Sequence, residues 1–144
     1  MADRIVQIAR QWIGTPYVHQ ASVRGAGTDC LGLVRGIWRE LYGCEPEVAP
    51  AYTPDWGEVG GRDLLMQAAR RLMADVPSTV QLAPGQVLLF RMRQGAIAKH
   101  LGILSQDGPA AFIHAYDGHG VTESPLTAPW ARRIAARFRF PDYP

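Results

Sequence analysis

At Pro84-Gly85 the apolar residues of this chain stop recurring at every third or fourth position and begin to recur at every second. A period of about 3.6 residues buries one face of a helix, and a period of about 2 buries one face of a sheet. The chain therefore lays down helices first and an antiparallel sheet second, which is the order of an α+β domain.

Before the switch, Ile5, Ile8, Ala9, Trp12 and Ile13 share a helical face, with Asp3 as N-cap and Gly14 as stop. A glycine-rich loop runs to Thr28. The second helix is expected over residues 29–42, with Leu31, Val34, Trp38 and Leu41 inward and Gly43 at its C′ position. Residues 45–61 hold three prolines and three glycines and read as a long loop. A third, shorter helix follows over residues 63–73. After the switch, strands are expected over residues 87–92, 101–105, 111–116, 120–126 and 133–140. The last has Arg133, Arg137 and Arg139 on an alternating basic face, which is a candidate docking edge.

Composition narrows the function. A chain of 144 residues with 47% hydrophobic residues suits one domain, taken as residues 1–144. Its net charge of +2 gives no footprint for nucleic acid. No apolar run is long enough to span a membrane. Residues 1–4 lead straight into a helical pattern, so no signal peptide is expected. The two cysteines, Cys30 and Cys44, lie at opposite ends of the second helix. That is roughly 20 Å apart at 1.5 Å per residue, too far to bridge. Neither CxxC nor HExxH spacing occurs, so no metal is expected.

Cys30 falls at the start of the second helix. Unpaired N–H groups and the macrodipole there favour a thiolate and lower a thiol's pKa. Asp29, as N-cap, opposes this with its own charge. A small buried core residue is the plain alternative for Cys30. The histidines shift the balance. A hairpin through Gln106-Asp107-Gly108 puts Leu104 opposite Ala110, Gly102 opposite Phe112 and His100 opposite His114. One imidazole is then the base for a thiol and the other holds its tautomer. A one-residue bulge would send the two to opposite faces. His19 and His119 sit in loops and carry little weight.

Four ordered segments resemble the NlpC/P60 cysteine peptidases. They are Gly14-Thr-Pro-Tyr-Val, Thr28-Asp-Cys-Leu-Gly-Leu-Val, Leu82-Ala-Pro-Gly-Gln-Val-Leu-Leu-Phe, and the pair Lys99-His-Leu-Gly-Ile-Leu and Phe112-Ile-His-Ala. The wording of the first two is most similar to a short, single-domain branch encoded with phage and phage-like tails. The resemblance implies a papain-like fold, with the cysteine helix packed on the histidine sheet. It implies Cys30 as nucleophile, His100 as base and His114 as third residue. Tyr17, with Asp29 and Ser22, falls in its oxyanion and substrate region. No cofactor is implied. The substrate implied is the peptidoglycan stem peptide, cut between D-γ-glutamyl and diaminopimelate. Leu31, Gln20-Ala21 and Gln86 depart from the family wording. Arg24 is a candidate partner for substrate carboxylates.

The resemblance also implies delivery to the wall on a tail particle, with other tail or baseplate proteins as partners. Two rivals stay open. One is an amidase or acyltransferase on the same scaffold. The other is a structural tail or baseplate component with weak or lost activity.

Overall fold

The computed structural model describes residues 1–47 and 63–142. Most of the 45–61 loop lies outside the described residues. Helix α1 (Ala2–Gln11) and the helix α2 (Cys30–Tyr42) flank a small hairpin, β1 (Ser22–Val23) with β2 (Gly27–Thr28). Helix α3 (Leu64–Leu72) leads into β3 (Ala74–Val76). Then come β4 (Val87–Arg91), β5 (Ala98–Asp107), β6 (Ala110–Tyr116), β7 (Gly120–Pro125), a short helix α4 (Ala128–Arg132) and β8 (Ile134–Arg139). Six of the strands form one antiparallel sheet in the order β3-β8-β4-β5-β6-β7. The α+β reading of the sequence holds.

The sheet is buried on both faces, and the period-two pattern decides which side chain goes where. Val87, Leu89, Leu101, Ile103, Ile113 and Phe138 point at the helices, where they meet Ile5, Ile8, Trp12, Leu33, Ile37 and Leu65. Leu88, Phe90, Leu104 and Phe112 form a second core on the other side, closed by Trp130 of α4 and by Leu126. Continuous apolar runs such as Val87-Leu-Leu-Phe are what a doubly covered strand requires.

Several expectations are corrected. The N-cap of α1 is Met1, and Asp3 stands in the first turn, where its charge still complements the macrodipole. The basic face of the last strand is not a docking edge at Arg137. Arg137 is 8% exposed, and its guanidinium donates to the Gln86 side chain and to the Pro77 and Val80 carbonyls. It anchors the segment entering the sheet, and Gln86 is its acceptor. Helix α4 lies where the apolar pattern gives no helix, although Thr127 followed by Pro129 is a sequence start signal, with Pro in the first turn.

The hairpin register also differs. The turn is Gly108-Pro109, with Asp107 opposite Ala110 and Gln106 opposite Ala111. Past a bulge at Ser105, Leu104 faces Phe112 and Ile103 faces Ile113, where the sequence reading put Leu104 opposite Ala110. Moving the turn alone would have exchanged the faces of one strand, since side chains alternate. The bulge adds a second odd step and restores the original face. His100 and His114 are therefore diagonal neighbours and not directly opposed, yet they still project together.

Candidate active site

Asp29 caps α2. One carboxylate oxygen accepts from the Gly32 N–H at 2.7 Å and the other from the Gln20 N–H at 2.8 Å. The cap thus also ties the loop after Tyr17 to the helix. Gly32 is packed so closely on the Ala21 carbonyl and the Thr28 hydroxyl that a Cβ there would collide with both. The Ser22 hydroxyl donates to the Gly32 carbonyl at 2.6 Å and accepts from Arg39 at 3.0 Å. Both residues were expected in the oxyanion and substrate region. The polar contacts seen here engage them with the protein, where they fix the frame that carries Tyr17 and Cys30. Arg24 is tied to the Gln11 side chain at 2.8 Å.

Tyr17 lies beside this frame, its main chain bridged to Thr28. Its hydroxyl makes no hydrogen bond to a described residue. Burial, then the negative charges of Cys30, Asp29 and Asp117, push its pKa up to about 12. Tyr17 is therefore a hydrogen-bond donor at any ordinary pH.

Cys30 is partly exposed and Cys44 is exposed, and both are free thiols. The Cys30 sulfur stands 3.7 Å from the carbonyl oxygen of Lys99, the residue before His100. Burial, reinforced by the Asp29 charge, pushes its thiol up to about 12, against the pull of the N–H groups of Leu101, Leu31 and Cys30. The helix start alone suggested a lowered value. Desolvation and the neighbouring carboxylate outweigh it, because a thiolate loses water there and meets a like charge.

His100 and His114 are held by the sheet. Nε2 of His100 is 2.8 Å from Nδ1 of His114, and Nε2 of His114 is 3.1 Å from the Ser124 hydroxyl on β7. Trp130 packs on both rings, at 5.8 and 5.3 Å between centroids. Gly102 makes room for Phe112 beside the pair, since a Cβ there would come within 2.8 Å of the Phe112 ring. Neither Trp130 nor Ser124 stands out in the sequence. A serine ten residues beyond His114 carries no pattern of its own until the β6–β7 register is known, in which Phe112 faces Ser124 and His114 faces Thr122.

The structure therefore joins His100 to His114 and brings Cys30 to the strand one residue before His100. Among the described residues it forms no Cys30–His100 hydrogen bond. The sulfur approaches β5 from the helical side, while the imidazoles pack on Phe90, Phe112 and Trp130. A bulge opposite Phe90 and Arg91 sets Lys99 at that crossing point. No group of three metal-ligating side chains occurs among the described residues.

Burial lowers both imidazole pKa values. His100 falls to about 3, with the His114 charge as a further cause, and His114 to about 4, with that of His119. Both rings are neutral in the folded protein near pH 7. An unfolded histidine takes up its proton near pH 6.5. Between pH 6.5 and about 4 the unfolded chain thus binds protons that the native chain refuses, and stability falls as pH falls. The expected slope is about 1.4 kcal/mol per pH unit for each histidine. Urea midpoints measured from pH 7 to pH 4.5 check it, with His114→Gln removing about half of the slope.

The sequence profile of the NlpC/P60 family matches residues 14–139, most of the chain. The chain belongs to the NlpC/P60 family. It is 29% identical over 142 residues to the murein DD-endopeptidase MepS/murein LD-carboxypeptidase of Escherichia coli K12. It is 28% identical over 137 residues to the gamma-DL-glutamyl hydrolase of Bacillus subtilis. The match covers 94% of this chain in both cases, but only 64% of the first relative and 29% of the second. The NlpC/p60 domain of the peptidoglycan hydrolase SagA superposes with a TM-score of 0.65 at 22% identity, over 97% of this chain and 99% of that domain. An NlpC/P60 protein from Bacillus cereus gives 0.67 at 21% identity, over 97% of this chain and 40% of that one. The fold is that of an NlpC/P60 domain.

Proposed function

We propose that this chain, as one domain over residues 1–144, is a cysteine endopeptidase that hydrolyses peptidoglycan stem peptides at the D-γ-glutamyl–diaminopimelate bond. The observation that carries the reading is the histidine pair. When His114 Nε2–H donates to Ser124, His114 Nδ1 accepts from His100 Nε2–H. His100 Nδ1 is then left with a lone pair and without a protein partner among the described residues. That is the tautomer a general base for the thiol requires.

Thiol and imidazole are both neutral at rest, so the proton moves as the attack proceeds. His100 takes it from Cys30, the sulfur bonds to the scissile carbonyl carbon, and the carbonyl π electrons move to oxygen. That oxyanion accepts from the Cys30 N–H at the start of α2 and from the Tyr17 hydroxyl. Collapse breaks the C–N bond, and His100 protonates the leaving amine. Water then gives a proton to the same imidazole, attacks the thioester and releases the acid, and the proton returns to sulfur.

The relatives support the substrate class, since the two curated proteins are named for murein and γ-glutamyl bonds. The wording of residues 14–18 and 28–34 supports a role as a tail-associated wall hydrolase, with peptidoglycan as substrate and other tail or baseplate proteins as partners. A second reading, a tail component with lost activity, draws on the missing Cys30–His100 hydrogen bond. Mass spectrometry of digested peptidoglycan, with casein as control, separates the readings. Release of fragments cut at the γ-glutamyl bond, with casein intact, is the expected result. Cuts at the glycan–lactyl amide, or amine adducts of the acyl group, assign an amidase or acyltransferase instead. No release from any wall preparation assigns the structural role.

A further inference from the structure

One end of the sheet carries a feature that the thiol–histidine chemistry does not use. The end of β4, the turn after it, α4 and the start of β8 enclose a groove of about 810 Å³. Arg91, Arg93, Arg132 and Arg133 line it, with Met92 and Ile134 among its apolar surfaces. Arg91 is held by Asp63 at 3.2 Å and by the Ala96 carbonyl at 3.1 Å. Arg133 lies over the Trp130 ring, 5.5 Å from its centroid. Asp63 is also engaged by the Ala98 N–H at 3.1 Å. Among the described residues, Arg93, Arg132 and Arg133 have no acidic partner, and all three are exposed.

Three unopposed guanidiniums around one concavity repel each other and favour an anion. Their planar forks match carboxylates in two-pronged hydrogen bonds. The space is far larger than one small ion needs, so it suits a chain bearing several anionic groups. Apolar side chains between the arginines suit one whose charges alternate with methyl groups, as in a short acidic peptide. A glycerol-phosphate polymer spaces its charges with hydroxylated carbons and carries no methyl groups. The groove also adjoins the histidines. Trp130 packs on His100 and His114 and carries Arg133 over its ring. Arg91 follows Phe90, the ladder partner of His100.

We propose that this arginine groove is a second binding site, which holds the carboxylates of an acidic peptide running on from the catalytic centre. The inference rests on the peptidase reading for the identity of that peptide as a wall stem. Its test does not need hydrolysis. The Cys30→Ala protein is titrated calorimetrically with L-Ala-D-γ-Glu-diaminopimelate, and with the same peptide amidated at its carboxyl groups.

Adding Arg93→Gln and Arg132→Gln should weaken binding of the acidic peptide by about ten- to a hundredfold. Amidation should weaken binding to the parent protein by a similar factor, a result that requires no variant to fold. Affinity should fall as salt is raised, since both arginines face solvent. Equal affinity for acidic and amidated peptides overturns the proposal. So does tight binding of poly(glycerol phosphate) that the peptide fails to displace. A protein that binds the peptide through these arginines but cleaves nothing keeps this site and defeats the peptidase reading.

Discussion

Cys30→Ala is expected to lose all measurable stem-peptide hydrolysis, with kcat down on the order of 10⁶-fold, as when the nucleophile of a triad enzyme is removed. The fold should survive. The side chain is small, its sulfur only approaches the Lys99 carbonyl at 3.7 Å, and α2 keeps its cap through Asp29. Cys30→Ser is a sharper test. It preserves shape and polarity but replaces the thiol with a hydroxyl, a far weaker acid. Both variants should melt close to the parent protein and release no peptide. Cys44 is exposed beyond the end of α2, and Cys44→Ser should hydrolyse at the parent rate. Activity in Cys30→Ser together with loss in Cys44→Ser would move the nucleophile elsewhere.

The elevated thiol pKa gives this prediction a second readout. A thiol held up to about 12 is a poor target for iodoacetamide at neutral pH and improves as pH rises. Its modification should therefore be slow without substrate even though hydrolysis is fast. A cysteine already ionised in the free enzyme would be alkylated rapidly at neutral pH. That result would restore the thiolate–imidazolium pair that the position of Cys30 at a helix start suggests.

How far the sequence could carry the fold is clearest at the strands. Val87-Leu-Leu-Phe and the alternation through Phe138 and Phe140 are dictated by local side-chain period, and the strands appear where that period places them. The same holds for Asp29 and Gly43, whose conformations are local properties of the helix ends. Register is not local. The turn moved to Gly108-Pro109 and a bulge formed at Ser105, and neither is written in the alternation of apolar residues. The face shared by His100 and His114 survived because two odd displacements cancelled. Trp130 shows the other limit. Its helix is five residues long and has no buried residue of its own, so no apolar stripe announces it. It is placed by the second core it closes, which exists only once β4, β5 and β6 are paired. Ser124 reaches His114 for the same reason. The proposed reacting groups are thus legible in the sequence, while the residues proposed to orient them emerge from the pairing of strands.

That division between reacting and orienting groups predicts unequal costs within the histidine pair. His100→Ala removes the base and should lower kcat by about as much as loss of the nucleophile, on the order of 10⁶-fold, because the two act as a unit. His114→Gln keeps an acceptor for His100 Nε2–H and a donor toward Ser124. The orientation of His100 is then largely retained, and a loss of about ten- to a hundredfold is expected, as for the outer partner of an oriented histidine. The pH profile separates the roles further. The charge of His114 helps to depress His100, so replacing it with a neutral amide lets the His100 pKa rise. A base must be unprotonated to act, so the acid limb of kcat/KM should move to higher pH in His114→Gln. Equal, mild losses at the two positions would take His100 out of the reaction. An unmoved acid limb, with His100→Ala inactive, would leave His100 as base but deny His114 its electrostatic hold on it.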